Sequence, residues 1–258
     1  MKVIAIMNVK GGVGKTMTAC NMAHILADTY QQRVLLIDAD PQGNATTFFN
    51  VDARDGGLTE VLGGLCNCYD EIVQETDYNR VHVLGCDTSL FGVDLATDSY
   101  SDPRKAITDL KEALIEDDAY DIVLIDCPPS FTVSAIAALA AADSVIVPVK
   151  LDAFSVDGME FLLDQLAAVQ RINGRAALEG VLVTLWHNCI SNVQAENELR
   201  NRGIRVFETH IRRSDKADES TWYHEQICEY SRFSSTARDY RDFVAEFVKN
   251  GGLKNGSI

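Results

Sequence analysis

A glycine-rich turn near the start of the sequence, residues 10–16, constrains the fold more than any other stretch. The residues before it, 2–8, are mostly apolar and partly β-branched, which predicts a buried parallel strand. The residues after it, 17–27, include alanine, methionine and leucine and predict a helix. Strand, glycine-rich turn and helix in this order are the context that a phosphate-binding loop requires. The alternative is a flexible turn with a chance Gly-Lys-Thr.

The composition of the turn indicates its chemistry. Glycine lacks the Cβ that blocks tight turns, so successive backbone N–H groups can converge on phosphate oxygens at a helix N-terminus. Lys15 adds a positive charge for the β- and γ-phosphates, and the Thr16 hydroxyl can bind Mg²⁺. The predicted contacts of the nucleotide are Gly11, Gly12, Val13, Gly14, Lys15, Thr16 and Met17.

A second lysine, Lys10, stands at the start of the turn and gives the string Lys-Gly-Gly-Val-Gly-Lys-Thr. With two lysines the motif resembles that of the deviant Walker A ATPases, which include ParA/Soj-type partition ATPases, MinD and the nitrogenase iron protein. In that family the first lysine reaches the partner's ATP across a face-to-face dimer, and Lys10 matches it by position. The alternative is a solvated loop cation. The resemblance implies ATP and Mg²⁺ as ligands and an ATP-dependent homodimer.

The second predicted strand, residues 33–38, runs into the string Asp-Ala-Asp-Pro-Gln-Gly-Asn. Carboxylates at the carboxyl ends of parallel strands face the crevice in which ligands bind. The string resembles a switch segment of the ParA/Soj group. By that resemblance Asp40 positions or activates the attacking water, and Asp38 acts nearby on the metal through water. A polar turn that ends the strand is the alternative.

A third predicted strand, residues 120–126, is a hydrophobic run that ends in Asp126. This is a Walker B pattern, in which the carboxylate holds the hydration shell of Mg²⁺. Many strands end in aspartate, so the pattern depends on the phosphate loop and on the Cys-Pro-Pro-Ser that follows it. Together these features resemble the second switch of the same family. They predict Thr16, Asp38 and Asp126 as metal-binding residues.

Strands and helices alternate along the rest of the chain. Further strands are predicted at 80–85, 143–149, 177–186 and 204–207, helices at 102–117, 133–142, 154–172, 192–201 and 234–248, and loops at 87–100 and 209–214. Asp102 is the predicted N-cap of its helix. The alternation predicts an α/β fold, a doubly wound, mostly parallel sheet with helices on both faces. Residues 1–249 are predicted to form a single P-loop ATPase domain, followed by a disordered tail at 250–258.

Charge is unevenly distributed. Residues 1–195 contain 12 basic and 27 acidic residues and so account for the whole net charge of −15. Residues 196–258 contain 11 of each and are neutral overall. Any affinity for DNA therefore has to come from a local patch in the last quarter of the chain. Arg213 and Lys216 match basic positions of the Soj-type surface, and Arg200, Arg202, Arg205 and Arg212 are near in sequence. The alternative is a solvated surface with interspersed acids.

The compartment is predicted from the cysteines and from the apolar runs. Seven cysteines are scattered without the spacing of a disulfide framework, which is typical of reduced thiols in the cytosol. The first strand begins at residue 2 and leaves no room for a signal peptide, and no apolar run approaches the length of a membrane span. We therefore expect a cytoplasmic protein, associated with the nucleoid if it binds DNA.

The resemblance implies a Mg-dependent ATPase in which hydrolysis switches a dimer on and off, in the partitioning of a plasmid, chromosome or mobile element. Its expected partners are a second copy, a ParB-like protein that stimulates hydrolysis, and DNA bound without sequence preference.

The alternative is a MinD-like switch on a membrane surface or protein partner. Membrane binding requires a terminal amphipathic helix with a basic face. In the last predicted helix the basic residues are offset by acids, so we expect no membrane binding. A nitrogenase-like reductase would need glycine-flanked cysteines for a shared iron–sulfur cluster, which the sequence lacks. A non-hydrolysing scaffold is disfavoured because Lys10, Lys15, Thr16, Asp40 and Asp126 are all present.

Overall fold

A computed structural model describes residues 1–54, 56–65, 68–95, 103–152, 155–173 and 175–253. The strands within these ranges are β1 (Lys2–Ile6), β2 (Val34–Asp38), β3 (Val73–Glu75), β4 (Val81–Leu84), β5 (Ile122–Asp126), β6 (Ser144–Lys150), β7 (Ala177–Trp186) and β8 (Val206–Arg212). They form one sheet in the order β3-β4-β2-β5-β1-β6-β7-β8. Neighbours are parallel except for β3 and β4, which are antiparallel. The predicted α/β fold is confirmed.

Helices cover both faces of the sheet. In the same described ranges they are α1 (Lys15–Tyr30), α2 (Asn44–Phe48), α3 (Leu58–Leu62), α4 (Leu90–Leu95), α5 (Pro103–Glu116), α6 (Val133–Ala141), α7 (Ser155–Asn173), α8 (Ile190–Asn201), α9 (Asp215–Tyr223), α10 (Ile227–Tyr230) and α11 (Ser235–Phe247). Side chains of a strand alternate between faces. Ile4 and Ile6 of β1 therefore pack in a cluster with α1 and α11, and Val3 and Ala5 pack in a second cluster with α5 and α6.

The central strands are buried on both faces, as expected for a parallel sheet between two helical layers. Every residue of β2 and β5 is buried, including the acid at the end of each strand. Burial of each large aliphatic side chain contributes about 1.5–3 kcal/mol of favourable transfer free energy. This core holds the ends of β1, β2 and β5 in fixed register, with Ile6 paired to Asp126 and Asp38 also paired to Asp126.

The predicted loop at 87–100 was wrong in part, because it contains α4. Leu90 and Val93 are buried at a spacing of three residues, which anchors one face of this short helix against the core. Asp87 begins the turn into it, since its carboxylate accepts a hydrogen bond from Ser89 N at 2.8 Å. Two buried apolar residues mark this helix, and the polar residues around them indicated a loop.

The predicted loop at 209–214 was also wrong in part, because β8 extends to Arg212. This strand lies at the edge of the sheet, so its outward N–H groups have no strand beside them. Carboxylates of α11 take that place: Glu246 accepts from Glu208 N and Thr209 N, and Asp239 accepts from Arg212 N at 2.9 Å. Contacts across 27 to 38 residues cannot be inferred from local propensity.

The predicted tail begins within a helical turn. A π-helical turn at Val248–Gly252 continues α11, and Gly252 is buried against the Phe247 ring, where a Cβ would lie 2.4 Å from the ring. The rest of the tail, 254–258, lies outside the described residues, as do the predicted cap Asp102 and the predicted helix start at Phe154. None of the helices in the described ranges combines the length and apolarity needed to cross a bilayer.

Candidate active site

The turn between β1 and α1 takes its shape from glycines in the left-handed region. Gly12 has φ 68° and Gly14 has φ 81°, values that a side chain disfavours. A Cβ added at Gly11 or Gly12 would meet no described atom within 4 Å, so the outer side of the loop is open. No side chain caps the start of α1, and its first turn contains no acid. Its first N–H groups are therefore available to an anion.

Lys15 is buried at the start of α1, with 7% of its surface exposed. Its Nζ donates to the Lys10 carbonyl oxygen at 3.3 Å, and no carboxylate of the described residues lies within ion-pair distance. Burial lowers the pKa of Lys15, and the charges of Asp126 and Asp40 partly oppose that effect. A buried ammonium beside free N–H groups favours binding of a multiply charged anion such as a polyphosphate.

Asp126 and Asp38 end neighbouring strands and are fully buried. The Thr16 hydroxyl donates to Asp126 Oδ2 at 2.6 Å, while Asp126 Oδ1 has no hydrogen-bond partner among the described residues. Burial raises the pKa of Asp126 well above its usual range, and the charge of Asp38 adds to this. Burial likewise raises the pKa of Asp38 to about 6. Two desolvated carboxylates, one of them with an unpartnered oxygen, beside a hydroxyl favour binding of a cation.

The segment after β2 is fixed by hydrogen bonds to the Asp38 carboxylate. Thr46 donates to Asp38 Oδ2 from both its backbone N and its hydroxyl, each at 2.8 Å, and Asp40 N donates to Oδ1 at 3.2 Å. Asp40 is 8% exposed, and its Oδ1 accepts from Gln42 N at 3.1 Å. Gly43 N donates to the Asp40 carbonyl at 2.8 Å, and Gly43 has φ 61°. These contacts fix Asp40 beside the phosphate loop.

The donor set fits a divalent cation that is already bound to phosphate. Across the described ranges, no three His, Cys, Asp or Glu side chains form a complete metal-binding group. Thr16, Asp38 and Asp126 therefore offer only part of a coordination sphere. Mg²⁺ prefers this situation, because it usually keeps several waters and takes phosphate oxygens as ligands. The three residues predicted to bind metal thus lie near Lys15, and the opposite charges of carboxylates and ammonium complement a Mg²⁺ ion and a phosphate.

Comparisons with known proteins agree with this geometry. A family model described as an AAA domain matches residues 1–178. The chromosome-partitioning ATPase Soj of Thermus thermophilus is 38% identical over 250 residues, which cover 95% of this chain and 94% of that protein. The chromosome partitioning protein ParA of Caulobacter vibrioides is 32% identical over 253 residues, covering 96% and 94%. The chain belongs to the ParA/Soj family of P-loop ATPases. The resemblance inferred from the two-lysine loop is confirmed.

A solved structure shares the fold over the full length of this family member. Cobyrinic acid a,c-diamide synthase from Mycobacterium smegmatis, with a bound ATP analogue and magnesium, superposes with a TM-score of 0.83 at 26% identity. The match covers 100% of this chain and 98% of that one.

Lys10, the residue that distinguishes the ParA/Soj loop, is held by a contact within its own chain. Its ammonium forms an ion pair with the carboxylate of Asp152, and both side chains are partly exposed at the mouth of the loop. Its backbone N donates to Asn8 Oδ1 at 2.9 Å, and Asn8 Nδ2 donates to the Pro148 carbonyl at 2.7 Å. In this arrangement the Lys10 ammonium is paired within its own chain.

The basic side chains of residues 196–258 differ in whether they form ion pairs with acids. Arg213 is exposed, and no acid of the described residues lies within ion-pair distance of it. Lys216 pairs with Glu219 at 2.6 Å, and its Nζ lies 5.9 Å from the centre of the Tyr230 ring. Four nearby arginines are paired with acids: Arg200 with Glu196 and Glu208, Arg202 with Glu160 and Glu198, Arg205 with Glu179, and Arg212 with Asp239.

Sequence reasoning missed three side chains at this site: Thr46, Cys86 and Asp152. Thr46 lies two residues beyond the Asp-Ala-Asp-Pro-Gln-Gly-Asn string and eight residues after Asp38, so a hydroxyl close behind the string was a signal that could have been used. Cys86 and Asp152 reach the site from other strands, and no local pattern marks them.

Proposed function

We propose that this chain is a Mg-dependent ATPase that dimerises with ATP and acts in ParA/Soj-type partitioning. The observation that carries the proposal is the convergence of Lys15, Thr16, Asp38 and Asp126 at the carboxyl ends of three adjacent strands. Release of phosphate from ATP, stopped by chelation of Mg²⁺, tests the reaction directly. The comparison proteins support it, since Soj of T. thermophilus is named an ATPase.

Each residue has a role that follows from its surroundings. The N–H groups at the start of α1 and the Lys15 ammonium bind the β- and γ-phosphates. Thr16 and Asp126, with Asp38 behind them, hold the metal, and Mg²⁺ when bound neutralises charge on the phosphate oxygens. Asp40 orients the attacking water, because phosphoryl transfer depends on positioning more than on covalent assistance. Loss of the γ-phosphate then removes contacts that hold the dimer.

We expect ATP to drive dimerisation through Lys10. Lys10→Ala should remain monomeric with ATP, because it removes the partly exposed ammonium that is proposed to reach the partner's nucleotide. Asp152→Asn is the matched control: it breaks the ion pair within the chain but keeps the Lys10 charge, so it should dimerise at least as well as the parent. Light scattering with ATP and with ADP measures both, in an Asp40→Ala background that slows hydrolysis. Dimers that form regardless of nucleotide or of Lys10 would contradict the switch.

The ATP dimer is also proposed to bind DNA without sequence preference through Arg213 and Lys216. One protomer offers few phosphate contacts against a net charge of −15, whereas a dimer doubles them and gains by avidity. Affinity should fall with salt at a slope of about −0.9 for each phosphate neutralised. Arg213→Glu combined with Lys216→Glu should remove DNA retention and leave basal ATP hydrolysis unchanged.

The control for this variant carries the same change of charge elsewhere. Arg54→Glu with Lys105→Glu alters two exposed cations, each beside an aspartate, in the part of the chain that precedes β5. If both double variants lose DNA equally, only net charge matters and Arg213 and Lys216 do not form a site. A parent ATP dimer that retains no DNA at low salt would contradict the DNA-binding proposal.

A second candidate function is a switch that acts on a protein partner or a membrane surface without DNA. Trp222 and Phe233, each 86% exposed, favour it, since exposed aromatic groups are enriched at interaction surfaces. Tyr223 follows Trp222 in sequence and stacks on Tyr230, with ring centres 5.4 Å apart. Co-sedimentation of the ATP dimer with phosphatidylglycerol-containing vesicles, run beside the DNA assay, separates a membrane surface from DNA. For the partitioning function, in contrast, the expected partner is a ParB-like protein that accelerates ATP hydrolysis.

A further inference from the structure

We propose that Cys86 is a positioning residue for Asp40. The inference rests on the proposed ATPase function, in which Asp40 orients water. Cys86 lies two residues beyond the end of β4, the strand next to β2, and is 2% exposed. It is separated from Asp40 by 46 residues in sequence, yet it contacts the switch segment at both ends.

Two hydrogen bonds from Cys86 form what we call the Cys86 clamp. The thiol lies 2.9 Å from the Asp40 carbonyl oxygen, and because that oxygen can only accept, the thiol is the donor. The backbone N of Cys86 donates to the Thr46 hydroxyl oxygen at 3.0 Å. That hydroxyl in turn donates to Asp38 Oδ2 at 2.8 Å. One residue thus fixes the backbone of Asp40 and, through Thr46, the carboxylate of Asp38.

Close packing leaves the clamp little freedom. A Cβ on Gly43 would lie 2.9 Å from the Cys86 carbonyl oxygen, and a Cβ on Gly85 would lie 2.9 Å from the Thr46 methyl group. Two backbones therefore approach as closely as glycine allows. A thiol at this point spans the gap that a methyl group would leave open. Without its donated hydrogen bond, the Asp40 carbonyl keeps only the Gly43 N–H, at 2.8 Å.

The function of such a clamp follows from how water is oriented. A carboxylate that positions a nucleophile must itself be held, because a displacement of about 1 Å can reduce the rate by about 100-fold. Asp40 stands on a short turn rather than on a strand, so its position depends on contacts from outside the turn. The clamp supplies one such contact from β4. Phosphate binding, which depends on Lys15 and the start of α1, does not involve it.

The test compares Cys86→Ala with Cys86→Ser and with a matched buried cysteine. Cys228 is also buried, and its thiol contacts the Ala237 carbonyl oxygen at 3.8 Å, in the core cluster on the other face of the sheet from Cys86. Cys86→Ala should lower kcat for ATP hydrolysis by about tenfold and change KM by less than about twofold. Cys86→Ser, which keeps a donor, should recover most of the rate. Cys228→Ala should keep the parental kcat.

Two further measurements separate positioning from general loss of structure. In an Asp40→Ala background, Cys86→Ala should cause no additional fall in the residual rate, because it acts through the residue already removed. Amide hydrogen exchange of the protein without nucleotide should be faster at Gly43 and Thr46 in Cys86→Ala than in the parent or in Cys228→Ala.

An unchanged kcat in Cys86→Ala, or an equal loss in the Asp40→Ala background, would overturn the inference. A fall of kcat in Cys228→Ala as large as in Cys86→Ala would also overturn it, since the effect would then be general. A parent that hydrolyses no ATP would instead overturn the proposed function. Exchange at Gly43 and Thr46 would still decide the clamp in that case, because faster exchange supports it and parental exchange contradicts it.

Discussion

Replacing Lys15 with alanine is expected to abolish ATP binding. The lysine is buried, and the described residues place no carboxylate within ion-pair distance of it. Its removal would leave Asp126 and Asp40 as the nearest charges to an incoming phosphate, and both repel it. Truncation of one side of a buried charge pair costs about 2–5 kcal/mol, so we expect affinity to fall by between about 30-fold and about 4,000-fold.

Calorimetric titration with MgATP measures this loss. Lys105→Ala is the control, because Lys105 is an exposed lysine of α5 that pairs with Asp109 and lies outside the site. It should bind as the parent does. Thermal unfolding without nucleotide should show that Lys15→Ala remains folded, since a buried ammonium without an anion costs solvation free energy. Parental affinity in Lys15→Ala would contradict the assignment of the phosphate loop.

The parts of the site that were predicted from sequence are those built from local signals. The strands that end in Asp38 and Asp126 are continuous apolar runs, and such runs form the centre of a parallel sheet. The glycine-rich turn specifies its own geometry, because Gly12 and Gly14 adopt the left-handed region that side chains disfavour. Since parallel strands end at the same edge, knowing the strands was enough to bring these residues together.

The parts that were not predicted depend on contacts between distant segments. Lys10 and Asp152 are 142 residues apart, and Cys86 and Asp40 are 46 apart. Neither pair lies within one helix or one strand, so periodicity gives no information about it. The same holds at the edge of the sheet, where Glu246 of α11 supplies the acceptor that keeps Thr209 in β8.

In residues 196–258 the count of charged residues predicted the available basic surface less well than the observed ion pairs do. Equal numbers of basic and acidic residues indicated a neutral surface, but four of the arginines are paired with acids. Arg212 is held against Asp239, which also accepts from its backbone N–H, so it stabilises β8 instead of adding to a free basic patch. Of the two proposed DNA contacts, Arg213 has no acid of the described residues within ion-pair distance, whereas Lys216 must leave Glu219 to reach a phosphate.

Asp40→Ala is expected to keep ATP binding and to lose hydrolysis. The phosphate contacts of Lys15 and the start of α1 are untouched, and so is the Thr16 bond to Asp126. The backbone bonds of residue 40, to Asp38 and to Gly43, do not require its side chain. Loss of a group that orients or activates the nucleophile typically costs 10²–10⁴-fold, so we expect kcat to fall by at least about 100-fold.

Asp40→Asn separates this role from that of a turn residue. An asparagine can still accept the hydrogen bond that Asp40 Oδ1 takes from Gln42 N at 3.1 Å, but it carries no charge. If Asp40 only shapes the turn, Asp40→Asn should hydrolyse ATP at the parental rate. If it activates water, both variants should be inactive, bind MgATP as tightly as the parent, and accumulate as ATP dimers in light scattering. Under the proposed switch, adding Lys10→Ala to either variant should return the dimer to a monomer without restoring hydrolysis.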